Sequence, residues 1–412
     1  MSRQVKGDRT PKVEKVENID LSDKHFKLRL IAVILAIILG VVAFGYGVHS
    51  IVTKEPGWYE VNANSDKMTC ADDFSFYYRV GLTSRDATVE LKIITSLYTS
   101  ATEEAYEIFN ALEEFDNVHN VYYLNHNINT KVEISSTLYN AFKLINEYND
   151  KTIFLGPIFE YYSNMFMCQN DYEILPFDPI QNETIREYYQ CIANYINDIS
   201  IELLDNNIVE LRVSDEYVAF AREQGIENFI DFAWMKNAFI IDYIVDVFTA
   251  NNYVYGIISS NDGFVRSFDS NNDDHSFTLI SYKDKIITNT GKLLYKGNES
   301  IVYLHNYAIN NADAFRIYML EDGTSRNSYL NYENGINLTA CSELIAYSKD
   351  KRCSEIILSV SPIYISENLD TNRLSELSPS INSIFFEDKV LKYTDKDINI
   401  QVADTYSIEL IK

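Results

Sequence analysis

The longest unbroken apolar stretch of the chain is residues 30–48, LIAVILAIILGVVAFGYGV, nineteen positions without a charge. At about 1.5 Å per residue a helix of that length matches a hydrocarbon core of ~30 Å. A buried helix of a soluble domain would normally keep a polar face, so the pattern predicts one N-terminal transmembrane helix over residues 30–50. Lys24, Lys27 and Arg29 lie against the start of the run, and Lys54 is the first positive charge beyond it. The positive-inside bias then makes residues 1–29 a cytoplasmic tail. The segment reads as a single-pass signal anchor in the cell membrane, with the large domain extracytoplasmic. Residues 51–70, with Pro56, Gly57 and a polar run from Asn62 to Lys67, read as a linker.

Beyond the linker the pattern alternates between two periods. FSFYYRV (74–80) and VELKIITSLY (89–98) are rich in β-branched and aromatic residues and predict strands. Ser100 and Glu103 have the spacing of a capping box, which would open a helix with Ala105, Ile108, Phe109, Leu112 and Phe115 on one stripe. Asn182 caps a second helix with Ile185, Tyr188, Tyr189, Ile192, Tyr195 and Ile196 inward. A third, from about Asn237 to Thr249, is apolar nearly all round and should be buried. YVYGIIS (253–259), FVRSF (264–268) and FTLISY (277–282) predict strands, and FRIYML and SYLNY flank a hairpin turn at Glu321-Asp322-Gly323. Strands and helices mix without a βαβ rhythm, which favours α+β. Residues 71–370 form the expected exterior domain, and the polar, weakly patterned residues 371–412 a C-terminal cap or tail.

Charge narrows the classes of partner. The whole chain carries a net −25, and residues 30–412 hold 27 Lys and Arg against 55 Asp and Glu. No nucleic acid is expected as a partner, because its phosphates require a basic face. The five cysteines show no C-x-x-C spacing, so free thiols are expected rather than a zinc ribbon or a disulfide framework. His119, His126, His275 and His305 have no metal-ligand spacing. Neither a P-loop, a Rossmann fingerprint nor a nucleophile elbow occurs.

Chemistry enters at residues 231–242, Asp-Phe-Ala-Trp-Met-Lys-Asn-Ala-Phe-Ile-Ile-Asp. The segment resembles the D-L-G-G-I-A-K-G-Y-A-V-D signature of FAD:protein FMN transferases, the ApbE-like flavin transferases, with the same spacing of its two aspartates. Gly256–Gly263 lies where that family has an asparagine and a paired-glycine turn. Tyr123-Leu-Asn125, Leu138-Tyr139 and Leu155-Gly-Pro157 follow the order of its upstream blocks, so the resemblance runs over roughly residues 68–370. It implies mixed sheets flanked by helices, FAD and Mg²⁺ as cofactors, and FMN transfer to a hydroxyl of an extracytoplasmic acceptor protein. It assigns Trp234, Lys236, Asn237, Asp242 and Gly263 to the cofactor. Glu355 and Ser359 stand for its metal-binding Asp and Thr, at a spacing that sets both oxygens on one helix face. No catalytic residue can be named.

The departures point the other way. Ala233 and Trp234 replace the glycine pair, and the signature lysine falls on Asn237, with Lys236 one position early. Opposite the family's H-H-I-I-D-P-x-T-G block stands Asn327–Gly335, which retains only Leu330 and Gly335. Flavin transfer is therefore expected to be weakened or lost. The alternatives are a non-catalytic binding or scaffold protein on the same fold, and an unrelated extracytoplasmic sensor or adhesion domain.

Overall fold

The computed structural model describes residues 34, 35, 37, 39, 40, 54–283 and 285–411. The chain divides into two units, Met1–Glu55 and Pro56–Lys412. In the first, Ile34, Leu35, Ile37, Leu39 and Gly40 are helical. The rest of the expected anchor, and the whole tail before it, lie outside the described residues. Among the described residues no helix is long and apolar enough to cross a membrane.

The second unit is built on a nine-stranded sheet: β1 Gly57–Glu60, β2 Phe74–Val80, β3 Tyr255–Ser260, β4 Phe264–Asp269, β5 Glu299–His305, β6 Glu343–Ser348, β7 Asn382–Glu387, β8 Val390–Tyr393 and β9 Ser407–Leu410. Their order across the sheet is their order along the chain. Every pairing is antiparallel except the last, β8 with β9. β5 and β6 are buried at every position, which requires cover on both faces. Val302, Leu304, Leu344 and Ala346 join the principal core, whereas Ile301, Tyr303, Ile345 and Tyr347 join a smaller one with Leu279 and Leu293. Helices Lys236–Ala250 and Cys353–Tyr364 cover the first face. A three-stranded sheet of Asp274–Lys283, Ile286–Lys296 and Ile400–Val402 supplies apolar residues to the second. A further three-stranded sheet, Lys131–Glu133, Ile199–Leu204 and Ile208–Val213, completes the α+β architecture.

Several predicted elements stand: the strand at 74–80, the Asn182-capped helix Glu183–Asn194, the buried helix Lys236–Ala250, and strands over 255–260, 264–269 and 274–283. Residues 89–98 are not a strand. Asp86 accepts hydrogen bonds from the Thr88 and Val89 amides and caps one helix, Ala87–Ile108, in which Ser100 is interior. Ile94, Tyr98, Ala101, Ala105 and Ile108 form its buried stripe, so tertiary burial at a helical period overrides the β-branched composition. The hairpin at 321–323 is present, but its second strand is Ser325–Asn327 rather than SYLNY. The linker contributes β1. Residues 371–412 are no appended tail, since they supply β7, β8 and β9 and bury Leu374, Ile381, Ile384, Phe385 and Leu391.

Candidate functional site

The helix Lys236–Ala250 opens from a single 3₁₀ turn, Ala233–Met235, and what precedes it fixes where that turn lies. Asn125 is fully used by the approach segment. Its Oδ1 accepts from the Phe229 and Ile230 amides at 3.0 and 2.9 Å, and its Nδ2 donates to Asn228 Oδ1 and the Ile230 carbonyl. Gly156 lies against the same backbone, where a Cβ would come within 2.7 Å of the Asn228 carbonyl. Two upstream sequence blocks thus act by holding residues 228–231. Asp231 Oδ1 then accepts from the Ala233 amide at 2.7 Å, and Ala233 adopts a left-handed φ of +46°. The backbone at this position keeps a glycine-like conformation without the glycine.

This turn forms one wall of a cavity of about 730 Å³. Ala233, Trp234, Lys236 and Asn237 line it together with Asp72, Asp73, Phe159, Glu160, Phe166, Asp231, Asp262, Phe315, Arg316 and Ser328. The one-residue displacement of the lysine does not turn it away, because Lys236 and Asn237 both reach the cavity from the first turn of their helix. The Trp234 indole packs edge-on against Tyr329, ring centres 5.0 Å apart. Asn237 Nδ2 donates to Asp262 Oδ2 at 3.0 Å. Gly263 lies just behind that contact with φ +105°, and a Cβ there would strike the Tyr303 carbonyl at 2.3 Å. Its place in the β3–β4 turn is what presents Asp262.

Arg316 carries no signal in the sequence pattern, where it lies within a strand-like segment. It lies between Asp313 Oδ1 at 2.5 Å, His305 Nε2 at 2.7 Å and the Tyr329 hydroxyl at 2.9 Å. His305 Nδ1 faces the Tyr307 carbonyl at 2.7 Å and donates to it, leaving Nε2 to accept from Arg316. Burial and the neighbouring guanidinium push the His305 pKa down to about 3, so the ring is neutral. Burial works against the Arg316 charge, but Tyr329, Asp313 and Asp262 together hold its pKa above the ordinary value. Burial also raises the carboxyls of Asp73, Asp231 and Asp262. Six lining residues carry a buried polar atom with no partner: Tyr162 Oη, Trp234 Nε1, Asn237 Oδ1, Asp262 Oδ1, Arg316 Nε and Ser328 Oγ.

Asp242 lies away from this cavity. Its Oδ1 accepts from Arg266 and the Cys353 amide, and its Oδ2 from the Ser354 amide at 2.9 Å and hydroxyl at 2.6 Å. It therefore anchors the N-terminus of helix Cys353–Tyr364. Glu355 and Ser359 are on that helix, at neither side of the Trp234 cavity.

Solved structures supply the comparison. The ApbE protein from Thermotoga maritima superposes with a TM-score of 0.53 at 11% identity, over 84% of this chain and 97% of that one. Flavin transferase ApbE from Vibrio cholerae gives 0.55 at 11% identity, over 85% and 99%. This chain has the ApbE fold. No family profile and no curated protein matches the sequence.

For the metal that the ApbE fold implies, the expected pair does not fit as it stands. Glu355 Oε1 is taken by Lys351 Nζ at 2.8 Å and Oε2 by the Arg352 amide at 3.0 Å, while the Ser359 hydroxyl donates to the Glu355 carbonyl at 2.8 Å. Burial alone would raise the Glu355 carboxyl, but Lys351 and the Arg352 amide outweigh it and lower its pKa. Among the described residues no cluster of three or more His, Cys, Asp or Glu is arranged for a metal ion. For a planar aromatic ring the cavity does fit, with aromatic walls and unpaired polar atoms. For a diphosphate it does not, because five carboxylates line it against two cations.

Proposed function

We propose that the chain is a membrane-anchored, extracytoplasmic protein of the flavin-transferase type, in which FAD binding is weak and FMN transfer is weakened or lost. The observation that carries this reading is Trp234. A buried indole stands where the resembling signature has a glycine, and its ring occupies space through which a diphosphate would approach the backbone. The commitment of Glu355 and Ser359 to local hydrogen bonds supports it from a second side. What remains of the site's chemistry is recognition: a cavity of about 730 Å³, within the usual size for a small-molecule site. The non-catalytic binding protein on the same fold is favoured over an active transferase by the same residues. The test is calorimetry of the full-length protein in detergent with FAD and Mg²⁺, with and without EDTA, and an assay of AMP release with a hydroxyl-bearing acceptor. Weak, EDTA-sensitive binding and no AMP release are expected. Tight, metal-independent FAD binding, or rapid AMP release, overturns the reading.

A further inference from the structure

The six unpaired atoms at the cavity are chemically mixed. Asn237 Oδ1 and Asp262 Oδ1 are acceptors, held side by side by the 3.0 Å bond between the other two atoms of those groups. Trp234 Nε1 and Arg316 Nε are donors, and the hydroxyls of Tyr162 and Ser328 serve as either. Three of these residues meet at Tyr329, which touches Trp234 through its ring and Arg316 through its hydroxyl and follows Ser328 in the chain. Buried polar atoms are costly unless paired, so the cavity is suited to a ligand that both donates and accepts. A phosphate only accepts hydrogen bonds. It would leave both acceptors unpaired and face the carboxylate excess of the cavity wall. At the mouth, Leu112 and Phe315 are about seven-tenths exposed, an apolar rim suited to a flat hydrophobic body.

We infer that the cavity takes an uncharged, planar heterocycle with adjacent N–H and C=O groups and no phosphate, so that among flavins riboflavin is preferred over FMN and FAD. The inference rests on the reading of the cavity as a flavin-type site and adds its selectivity. Arg316, positioned by neutral His305 and by Asp313, supplies a hydrogen-bond donor to a ring edge rather than a counter-ion to a phosphate.

The experiment is a fluorescence titration of the full-length protein in detergent with riboflavin, FMN and FAD, each with EDTA. Riboflavin is expected to bind at least tenfold more tightly than either phosphorylated flavin. Asn237→Leu should weaken riboflavin about tenfold. The double variant Asp72→Asn/Glu160→Gln changes only exposed side chains of the rim. It should narrow the gap between riboflavin and FMN several-fold by strengthening FMN binding, a response that misfolding would not mimic. FMN or FAD binding as tightly as riboflavin overturns the inference. If no flavin binds, the inference falls and the non-catalytic reading stands; if FAD binds tightly and AMP is released, both fall.

Discussion

Ala233 holds a backbone conformation that an L-residue adopts at a cost of about 1–2 kcal/mol. The cost is tolerated because Asp231 fixes the amide and the helix Lys236–Ala250 begins three residues later. Ala233→Gly relieves the strain but frees the unfolded chain by ~0.4–1 kcal/mol. The variant should therefore gain roughly 0.5–1 kcal/mol, read as a higher urea midpoint; a loss of stability would show that the alanine methyl is needed for packing. Asp242 behaves oppositely. Asp242→Ala removes the acceptor for two helix amides and leaves the half-buried Arg266 without its partner, so a loss of about 3 kcal/mol is expected in the same assay. The spacing of Asp231 and Asp242 was visible in the sequence, but their division of labour was not. One sets a turn beside the cavity through Ala233, two residues on, and the other anchors a helix through Cys353 and Ser354, more than 100 residues away along the chain. Arg316 and Ser328 were illegible as site residues for the same reason, since only the folded chain brings them to Trp234.

At the scale of elements, a uniformly apolar pattern proved easier to read than a β-branched one. The helix Lys236–Ala250 was evident because nine of its fifteen residues are buried and their side chains are mostly apolar. Phe239 within it meets Phe232 edge-on at 5.1 Å and lies near Phe109. Phe239→Ala should cost ~3–5 kcal/mol, and a negligible change in the urea midpoint would contradict that packing. Residues 89–98 misled because composition reports side-chain shape and not which face is covered. Only the buried positions of Ala87–Ile108 reveal the period. Paired strands also carry a pH response. Burial raises the carboxyl of Glu299 in β5 to about 7 and that of Glu343 in β6 to about 8. Unfolded, both would titrate near ~4.3. The folded state therefore binds more protons between those limits, and its stability is greatest below the unfolded pKa and is lost as pH rises through about 7 and 8. Glu343→Gln should flatten this decline, measured as the difference in urea midpoint between pH 5 and pH 9. An unchanged slope would mean that Glu343 does not hold its proton.

For the whole molecule, the expected topology sets residues 51–412 outside the cytoplasm, and protease added to intact cells should digest this part and spare the tail. Protection until lysis would reverse the orientation. The α+β architecture was legible from the mixed periods, and the site region from one twelve-residue segment. The three C-terminal strands were not, because β7 and β8 alternate too briefly and β9 is exposed at three of its four positions. Their apolar residues become informative only against β6.

The sheet's strand order has a consequence for a chain synthesised from its N-terminus. Each of the nine strands can add to the free edge left by its predecessor, so none has to be threaded between two already paired. Assembly can thus keep step with emergence. Until β7 arrives, however, the β6 edge is unpaired, and the finished sheet depends on the final forty residues to close it. A ribosome stalled shortly before Asn382 would leave the emerged part with an adhesive border, which makes this stretch of synthesis the point at which quality-control factors would have most to shield.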